Sequence, residues 1–476
     1  MSTRREPGGE GPQPMNRLLD LIVIGAGPAG MAAAATAAEC GLSTLLIDEQ
    51  AEPGGQIYRS IESVGERRPD DLALFGDDYA YGAHLARELR RSAALYLPSA
   101  SVFQVTPAAD EVAVAVTVDG VAERLAARLV IVATGAMERP VPVPGWTMPG
   151  VMGAGAAQLL LKSAGLVPEG RVVLAGAGPL LLLAATQLLD AGAEAVAVLE
   201  RTRLGDYLGA ARHLFRARRA PGYIAKGRAL RRRLKAAGVP IHSGVTGLRI
   251  DGLDRPERVV WKGGAIDADI VLLHEGVVPH VQITRQVGAD HAWDAAQRCW
   301  RPVLDQWGDS SVANVIVAGD AGGIGGARVA EATGRLAALH AAHRLGRMSK
   351  RERNRRASGP RAERRRHLAV RPLLDALFPP AAEILAPPDD ATIVCRCEEV
   401  TAGEIRAAVA LGAPGPNQLK AFTRCGMGPC QGRLCGLTVA ETIAAARGMP
   451  TEQVGYYRIR PPIKPVTLGE LAALDG

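Results

Sequence analysis

Apolar residues in this chain gather in short blocks that end in glycine. Leu21–Ile24 runs into Gly25-Ala26-Gly27-Pro28-Ala29-Gly30, then into an Ala-rich stretch that stops near Gly41. A β-branched and leucine block, a glycine turn and an Ala/Leu run spell a buried strand, a loop and a helix. Thr44–Ile47 reads as a second buried strand, closed by Asp48. Amphipathic helical text covers Tyr79–Leu95, and alternation marks strands at Val102–Val105 and Glu111–Val118. Leu129–Ala133 is a buried strand that ends at Thr134-Gly135. The same grammar restarts after Gly150: Val172–Ala175, Gly176-Ala177-Gly178, a helix to Gly192, then Val196–Leu199 closed by Glu200. A third strand-then-glycine signature sits at Val315–Ala318, Gly319-Asp320. The two large units lie about 150 residues apart, which is a duplicated architecture and not a solenoid.

The expected fold class is therefore α/β, with two dinucleotide-binding domains and a small C-terminal domain. Residues 1–19 read as a disordered tail, 20–150 as the first segment of the first domain and 151–280 as a second, degenerate dinucleotide domain. Residues 281–345 return to the first domain, 346–390 form a basic linker or exposed helix, 391–445 a cysteine-bearing domain and 446–476 a C-terminal tail.

Composition narrows the class. Hydrophobic residues make up 47% and charged residues 22% of the 476, an ordinary globular mix that excludes global disorder. Seven cysteines are too sparse for a disulfide scaffold. The net charge of +7 is local: Arg344–Arg366 alone carries +9, so the rest sums to −2 and nucleic-acid binding is not indicated. Twelve more Lys/Arg lie between Arg201 and Lys235. A solvated face is the first reading of both runs, ahead of docking to a partner subunit of acidic surface and of peripheral contact with anionic lipid. Two uncharged runs of 18 residues, Leu21–Ala38 and Val172–Leu189, raise a transmembrane question, but each is broken by its glycine turn. No targeting signal is read, so the cytoplasm is the expected compartment, with peripheral association at the inner membrane left open.

Gly25-x-Gly27-x-x-Gly30 stands after a strand and before a helix, where a dinucleotide fingerprint must stand. Its glycines give the tight turn, the close approach of a pyrophosphate and the packing of helix on sheet. Asp48, with Glu49 beside it, lies where an acid accepts hydrogen bonds from ribose hydroxyls. The second fingerprint, Gly176-Ala-Gly178-Pro-Leu-Leu181, has Leu181 in place of the third glycine, although Glu200 keeps the acid. That counts against NAD(P)H binding and favours a vestigial or structural second domain.

Together with Gly54-Gly55-Gln56, Ala133-Thr134-Gly135 and Val317-Ala318-Gly319-Asp320, these motifs resemble the flavoproteins with two dinucleotide-binding domains related to glutathione and thioredoxin reductases. The resemblance covers residues 20–345. It implies FAD on the first fingerprint, including Pro28 and Ala29, with Gly55, Gln56, Thr134 and Gly135 nearby. Gly319-Asp320 would meet the ribityl and phosphate end. The closely spaced redox cysteines of disulfide reductases are missing: Gly54-Gly55 is followed by Gln-Ile-Tyr, and Cys40 and Cys299 read as buried apolar residues.

Cys395-x-Cys397 and Cys425-x4-Cys430 are separated by 27 residues. Four thiolates suit a [2Fe-2S] cluster, with Gly426 and Gly428 leaving amides free to approach sulfur. A zinc site and unliganded thiols compete, and Cys435 reads as a bystander. The text Cys395-Arg-Cys-Glu-Glu-Val-Thr and Cys425-Gly-Met-Gly-Pro-Cys-Gln-Gly-Arg resembles the bacterioferritin-associated-ferredoxin type of [2Fe-2S] domain, in the version fused behind a flavoprotein.

With Pro144-Gly145, Pro149-Gly150-Val151 and the tail from Pro462 to Leu471, nearly the whole chain resembles one family. It is the FAD- and [2Fe-2S]-containing α-type subunit of multi-subunit amino-acid and opine dehydrogenases, with relatives acting on opines, hydroxyproline, proline and sarcosine and a similar subunit in hydrogen cyanide synthase. The resemblance implies a flavoprotein β subunit that carries the amine-oxidising site, in some complexes a small third subunit, and in some relatives an FMN at the subunit interface. No general base is evident in this chain; His274-Glu275-Gly276 reads as a structural strand end. The function expected is electron transfer from an amino-acid-oxidising site to an external acceptor. A stand-alone NADH-dependent reductase and a non-catalytic nucleotide- and cluster- or zinc-binding scaffold are the alternatives.

Overall fold

A computed structural model describes residues 18–475. The tail expected at 1–19 falls almost wholly outside the described residues.

The first strand, Leu19–Ile24, lies between parallel strands Thr44–Ile47 and Val121–Val132, and Leu95–Leu97 extends the sheet beyond Thr44–Ile47. Val121–Val132 serves two neighbourhoods. Its first half pairs antiparallel with Val112–Val118, which pairs in turn with Ala100–Pro107, and its last residues pair parallel with Val315–Val317. Strands covered on both faces need continuous apolar text, and Leu21, Ile22, Val23, Val130, Ile131 and Val132 are all fully buried. Helix Pro28–Glu39 crosses helix Ala327–Arg344 where a Cβ on Gly334 would stand 2.1 Å from the Ala29 carbonyl oxygen. Only small residues permit that approach, which explains the alanine-rich text of both helices.

The second unit repeats the plan. Its five-stranded sheet runs Ile241–Ser243, Ala195–Glu200, Val172–Ala177, Ile270–Glu275, Val151–Gly153, all parallel. A three-stranded antiparallel meander, Arg249–Asp251, Arg258–Trp261 and Gly264–Asp267, precedes the strand Ile270–Glu275.

The basic stretch after residue 345 is folded. Helices Lys350–Arg356 and Ser358–Leu368 pack against helix Ala327–Arg344 of the first unit, whereas Arg371–Leu377 packs on Leu204–Ala211 of the second, Leu373 meeting Ala210 and Ala217. The guanidinium groups of Arg353 and Arg361 lie 3.9 and 4.2 Å from the Trp307 ring centre, a cation–π contact that consumes part of the charge. The other basic run forms helices Leu204–Ala211, Leu214–Ala217 and Pro221–Ala236, with Leu204, Leu208 and Phe215 exposed among the arginines.

The cysteine-bearing unit holds a short strand pair, Ile393–Cys395 with Val400–Thr401, and helices Ala402–Ala410, Pro416–Thr423 and Gly436–Arg447. Thr401 and Glu404 close a reciprocal capping box on the first of these. The unit shares one apolar core with the outer face of the first sheet, Val394, Ile405 and Ile443 joining Val112, Val114 and Val130. The stretch read as a C-terminal tail packs too. The Ile463 N–H donates to the Phe103 carbonyl at 2.9 Å, and Val466, Leu471 and Leu474 cover Phe103. Among the described residues, no helix is long and apolar enough to cross a membrane.

Candidate functional site

The first fingerprint is a cradle with no side chains in it. Gly25 has φ +102°, and a Cβ there would lie 2.6 Å from the Ala133 carbonyl oxygen. Helix Pro28–Glu39 starts at Gly27 with no side-chain cap and no acidic residue in its first turn, so its N-terminal amides are left for an anion. Gly55 faces Gly27 so closely that a Cβ on Gly55 would reach the Gly27 Cα at 2.8 Å. Pro28 and Ala29 open the helix, and Gln56 is exposed beside the Gly54-Gly55 turn.

Asp48 is placed as its position at a strand end predicts. Its Oδ2 accepts from the Ala26 N–H at 2.5 Å and its Oδ1 from the Gln50 N–H at 2.8 Å. Burial raises its carboxyl above the usual range, against those two backbone bonds. Glu49 instead faces outward and pairs with Lys464 of the C-terminal stretch. Across the cradle, Gly319 leaves so little room that a Cβ would meet the Ala29 Cβ at 2.8 Å. The Asp320 Oδ1 accepts from the Gly325 and Gly326 amides at 2.8 and 3.0 Å, and Asp320 too is raised by burial. Thr134 and Gly135 meet His280: the Thr134 hydroxyl donates to the His280 carbonyl at 3.3 Å, and the His280 N–H donates to the Gly135 carbonyl at 3.0 Å. Glycines that a Cβ would fill, free helix amides and two acids at opposite ends fit a dinucleotide such as FAD.

His280 also gives a pH dependence. Burial pushes His280 and His291 down to about 4, with Arg433 and Lys464 adding to the effect at His280 and Glu49 opposing it. The unfolded chain takes up these protons first as pH falls below about 6.5, so stability is complete above that value and declines toward pH 4. At pH 5 each histidine is expected to cost about 2 kcal/mol relative to pH 7.5. Urea midpoints at the two pH values measure the loss, and His280→Gln should flatten the slope.

At the second fingerprint, Gly176 again abuts a carbonyl, that of His274, at 1.8 Å from an ideal Cβ. Gly178 begins helix Pro179–Asp190, but Leu181 is fully buried in the core where the third glycine would stand. The acid Glu200 is 1% exposed and its carboxylate is held by Arg231. His274 Nδ1 lies 2.5 Å from Glu138 Oε1, and Glu138 also accepts from the Gly155 N–H. Glu275, 4% exposed, is bound by Arg201, whose guanidinium also reaches the Pro379 carbonyl at 3.0 Å. An open crevice at this sheet edge is lined by Ala177, Arg201, Arg203 and Phe378–Glu383.

The thiols form the other centre. Cys395, Cys425 and Cys435 are buried with their sulfurs all within 4.8 Å of one another. Cys397 and Cys430 lie against each other on the more exposed side. The loop from Cys425 to Cys430 crosses Cys397 at Gly428, where a Cβ would stand 2.3 Å from the Cys397 Cβ. The Gly426 N–H points to Cys395 Sγ at 3.5 Å, as the glycine spacing suggests. Two features were not legible in the motif. Cys435, read as a bystander, sits inside the buried trio, and Tyr457, 1% exposed, donates its hydroxyl to the Cys425 carbonyl at 3.1 Å and lies 3.5 Å from Cys425 Sγ. A Tyr pair in a chain with eight tyrosines was the available signal. Sulfur donors alone, buried on one side, suit a soft metal or an iron–sulfur centre. Cys40 is half-buried beside Arg356, and burial pushes the Cys299 thiol up to about 12, so both behave as packing residues.

Comparison with known proteins agrees with this arrangement. Residues 19–344 match the pyridine nucleotide-disulphide oxidoreductase family, and residues 390–475 match the sarcosine oxidase A3 domain. The opine oxidase A-subunit of Rhizobium meliloti is 45% identical over 469 residues, covering 97% of this chain and 88% of that protein. The chain belongs to the opine oxidase A-subunit family. Hydrogen cyanide synthase subunit HcnB of Pseudomonas protegens is 31% identical over 96% of this chain and 98% of its own length. In fold, the chain resembles L-proline dehydrogenase from P. horikoshii, with a TM-score of 0.70 at 19% identity over 96% of this chain and 79% of that one. Family membership makes the chain a flavin-dependent oxidoreductase, with an FAD-type nucleotide domain and a cysteine cluster able to hold a metal. Its relatives are named as subunits, so a partner subunit belongs to the picture.

Proposed function

We propose that this chain is the FAD- and [2Fe-2S]-carrying electron-transfer subunit of a multi-subunit enzyme that oxidises an amino acid or N-substituted amino acid, of the opine, hydroxyproline, sarcosine or glycine class, at a CH–NH or CH–NH2 donor. The observation that carries the reading is the packing of the thiol centre on the same apolar core as the sheet that bears the glycine cradle. In this reading Gly25, Gly27, Pro28, Ala29, Gly30, Asp48, Gly55, Gln56, Thr134, Gly135, Gly319 and Asp320 hold FAD, and Cys395, Cys397, Cys425 and Cys430 hold the cluster. When bound, flavin and cluster supply the two-electron and one-electron chemistry. The chain's own part is to fix those groups on one shared core and to keep water from Cys395 and Cys425, both nearly fully buried. Substrate oxidation belongs to a partner flavoprotein, and the electrons leave for an external acceptor.

His274 supports a relay role, because its ring nitrogen is committed to Glu138 and is not presented to a cavity as a base. The buried Leu181 and the Arg231-bound Glu200 favour a second domain that does not take electrons from NADH.

Anaerobic titration of the purified chain with NADH, then dithionite, tests this. NADH is expected to leave the spectrum unchanged, while dithionite bleaches a flavin band and brings up a rhombic EPR signal. Reduction of both centres by NADH would turn the assignment to a stand-alone reductase. A preparation with zinc and no iron would remove the cluster, and a colourless one the flavin.

A further inference from the structure

The buried side of the thiol centre has more sulfur than a cluster needs. A [2Fe-2S] group takes four thiolates, two per iron, and the five cysteines divide into an exposed pair and a buried trio. Cys397 and Cys430 make the pair, which lies outside the trio and has no spare sulfur of its own among the described residues. Cys395, Cys425 and Cys435 make the trio, all within one metal's reach of each other. We infer that Cys435 is a spare ligand: two of the three buried thiols bind the metal at a time, and Cys435 takes the place of Cys425 or Cys395 when either is lost. The inference rests on the metal-centre reading above.

The surroundings show which two are bound first. Cys395 Sγ faces the Gly426 N–H at 3.5 Å, and Cys425 Sγ faces the Tyr457 hydroxyl at 3.5 Å. Each therefore has a donor for the negative charge that a metal-bound thiolate retains. Apart from the neighbouring thiols, Cys435 Sγ has among the described residues only the same tyrosine oxygen, at 4.0 Å. Tyr457 stands between Cys425 and Cys435 and is fixed there, since a Cβ on Gly426 or Gly432 would come within 2.5 or 2.6 Å of its ring. Its hydroxyl can thus serve whichever of the two sulfurs is bound. Cys435 is the residue just before helix Gly436–Arg447, whose body is buried, so the thiol is held in place without a metal. It can move to the vacant position by a side-chain rotation while the helix stays fixed.

The test uses the full-length chain with iron, zinc and acid-labile sulfide measured in parallel with EPR. Cys435→Ala alone is expected to keep full metal content. Cys425→Ser and Cys395→Ser are each expected to keep at least half, with an altered EPR line shape. Combining Cys435→Ala with either should lower metal at least tenfold, as should Cys397→Ser or Cys430→Ser alone. Loss of metal in either Cys425→Ser or Cys395→Ser to the level of Cys397→Ser, whether through ligand loss or misfolding, overturns the inference. So does loss in Cys435→Ala alone, which would make it an obligatory ligand. Acid-labile sulfide separates the two readings: zinc without sulfide defeats the cluster assignment, while the pattern of metal retention across the variants still decides the spare thiol.

Discussion

Gly30→Ala is expected to purify without flavin, at least tenfold below the parent in FAD per chain, and to unfold at lower denaturant. The reason is geometric. A Cβ at residue 30 would stand 1.7 Å from the Gly25 carbonyl oxygen and 2.9 Å from its carbon. Neither atom can yield, because Gly25 is pinned on its other side by Ala133 and its N–H donates to the Ile47 carbonyl at 2.8 Å. Overpacking of this kind costs about 1–3 kcal/mol even where side chains can adjust, and here the clash is backbone against backbone. The helix must lift from the sheet, carrying its free amides away from the cradle.

Two companion variants separate folding from binding. Gly27 has ordinary dihedrals for any residue, and a Cβ there meets only the Gly55 Cα at 3.9 Å. Gly27→Ala should therefore fold normally but fill the approach of the pyrophosphate, lowering flavin content without shifting the unfolding midpoint. Gly65 lies inside helix Ile61–Arg67 with open space around it, and Gly65→Ala should stabilise by about 0.5–1 kcal/mol with flavin unchanged. If Gly27→Ala retains full FAD, the first fingerprint is not where the flavin sits.

These glycines were legible because a fingerprint is a local object: strand, turn and helix follow one another within about twenty residues, and Gly30 answers Gly25 inside that span, although Gly25 also abuts the distant Ala133. The same holds for Asp48 and Asp320, whose carboxylates bind amides of nearby loops. The contacts that complete the sites are not local. Cys435 joins Cys395 across forty residues, and Tyr457 reaches Cys425 from a segment that reads as a tail. Lys464 finds Glu49 from the opposite end of the chain. Charge patterning misleads for a related reason. Arg353 and Arg361 read as solvated cations, but their guanidinium groups stack on Trp307, an aromatic whose position no spacing rule provides.

Arg201 is the strongest case of such a hidden partner, and Arg201→Ala is expected to lower stability by about 3–5 kcal/mol. Glu275 ends the strand Ile270–Glu275 of the second sheet with its side chain 1% exposed, and burial pushes its carboxyl up against the pull of Arg201. Two guanidinium nitrogens donate to that carboxylate, at 2.5 and 2.7 Å. Removing the arginine leaves a buried acid with the fully buried Arg139 as a distant compensation, so the carboxyl must take up a proton or draw in water. The same change frees the Pro379 carbonyl and with it the Phe378–Glu383 segment that lines the crevice at Ala177. A pair of apolar replacements distinguishes the two effects. Arg201→Met with Glu275→Leu removes both charges and keeps the volume, and it should recover most of the loss, as buried pairs commonly do when both members become apolar. Glu275→Leu alone leaves Arg201 only 14% exposed and without its carboxylate, and is expected to recover nothing. Thermal unfolding of the parent, Arg201→Met, Glu275→Leu and the double variant, closed as a double-mutant cycle, gives the coupling energy directly. A coupling below about 1 kcal/mol would mean that Glu275 is already protonated in the fold and that Arg201 is held mainly by Pro379.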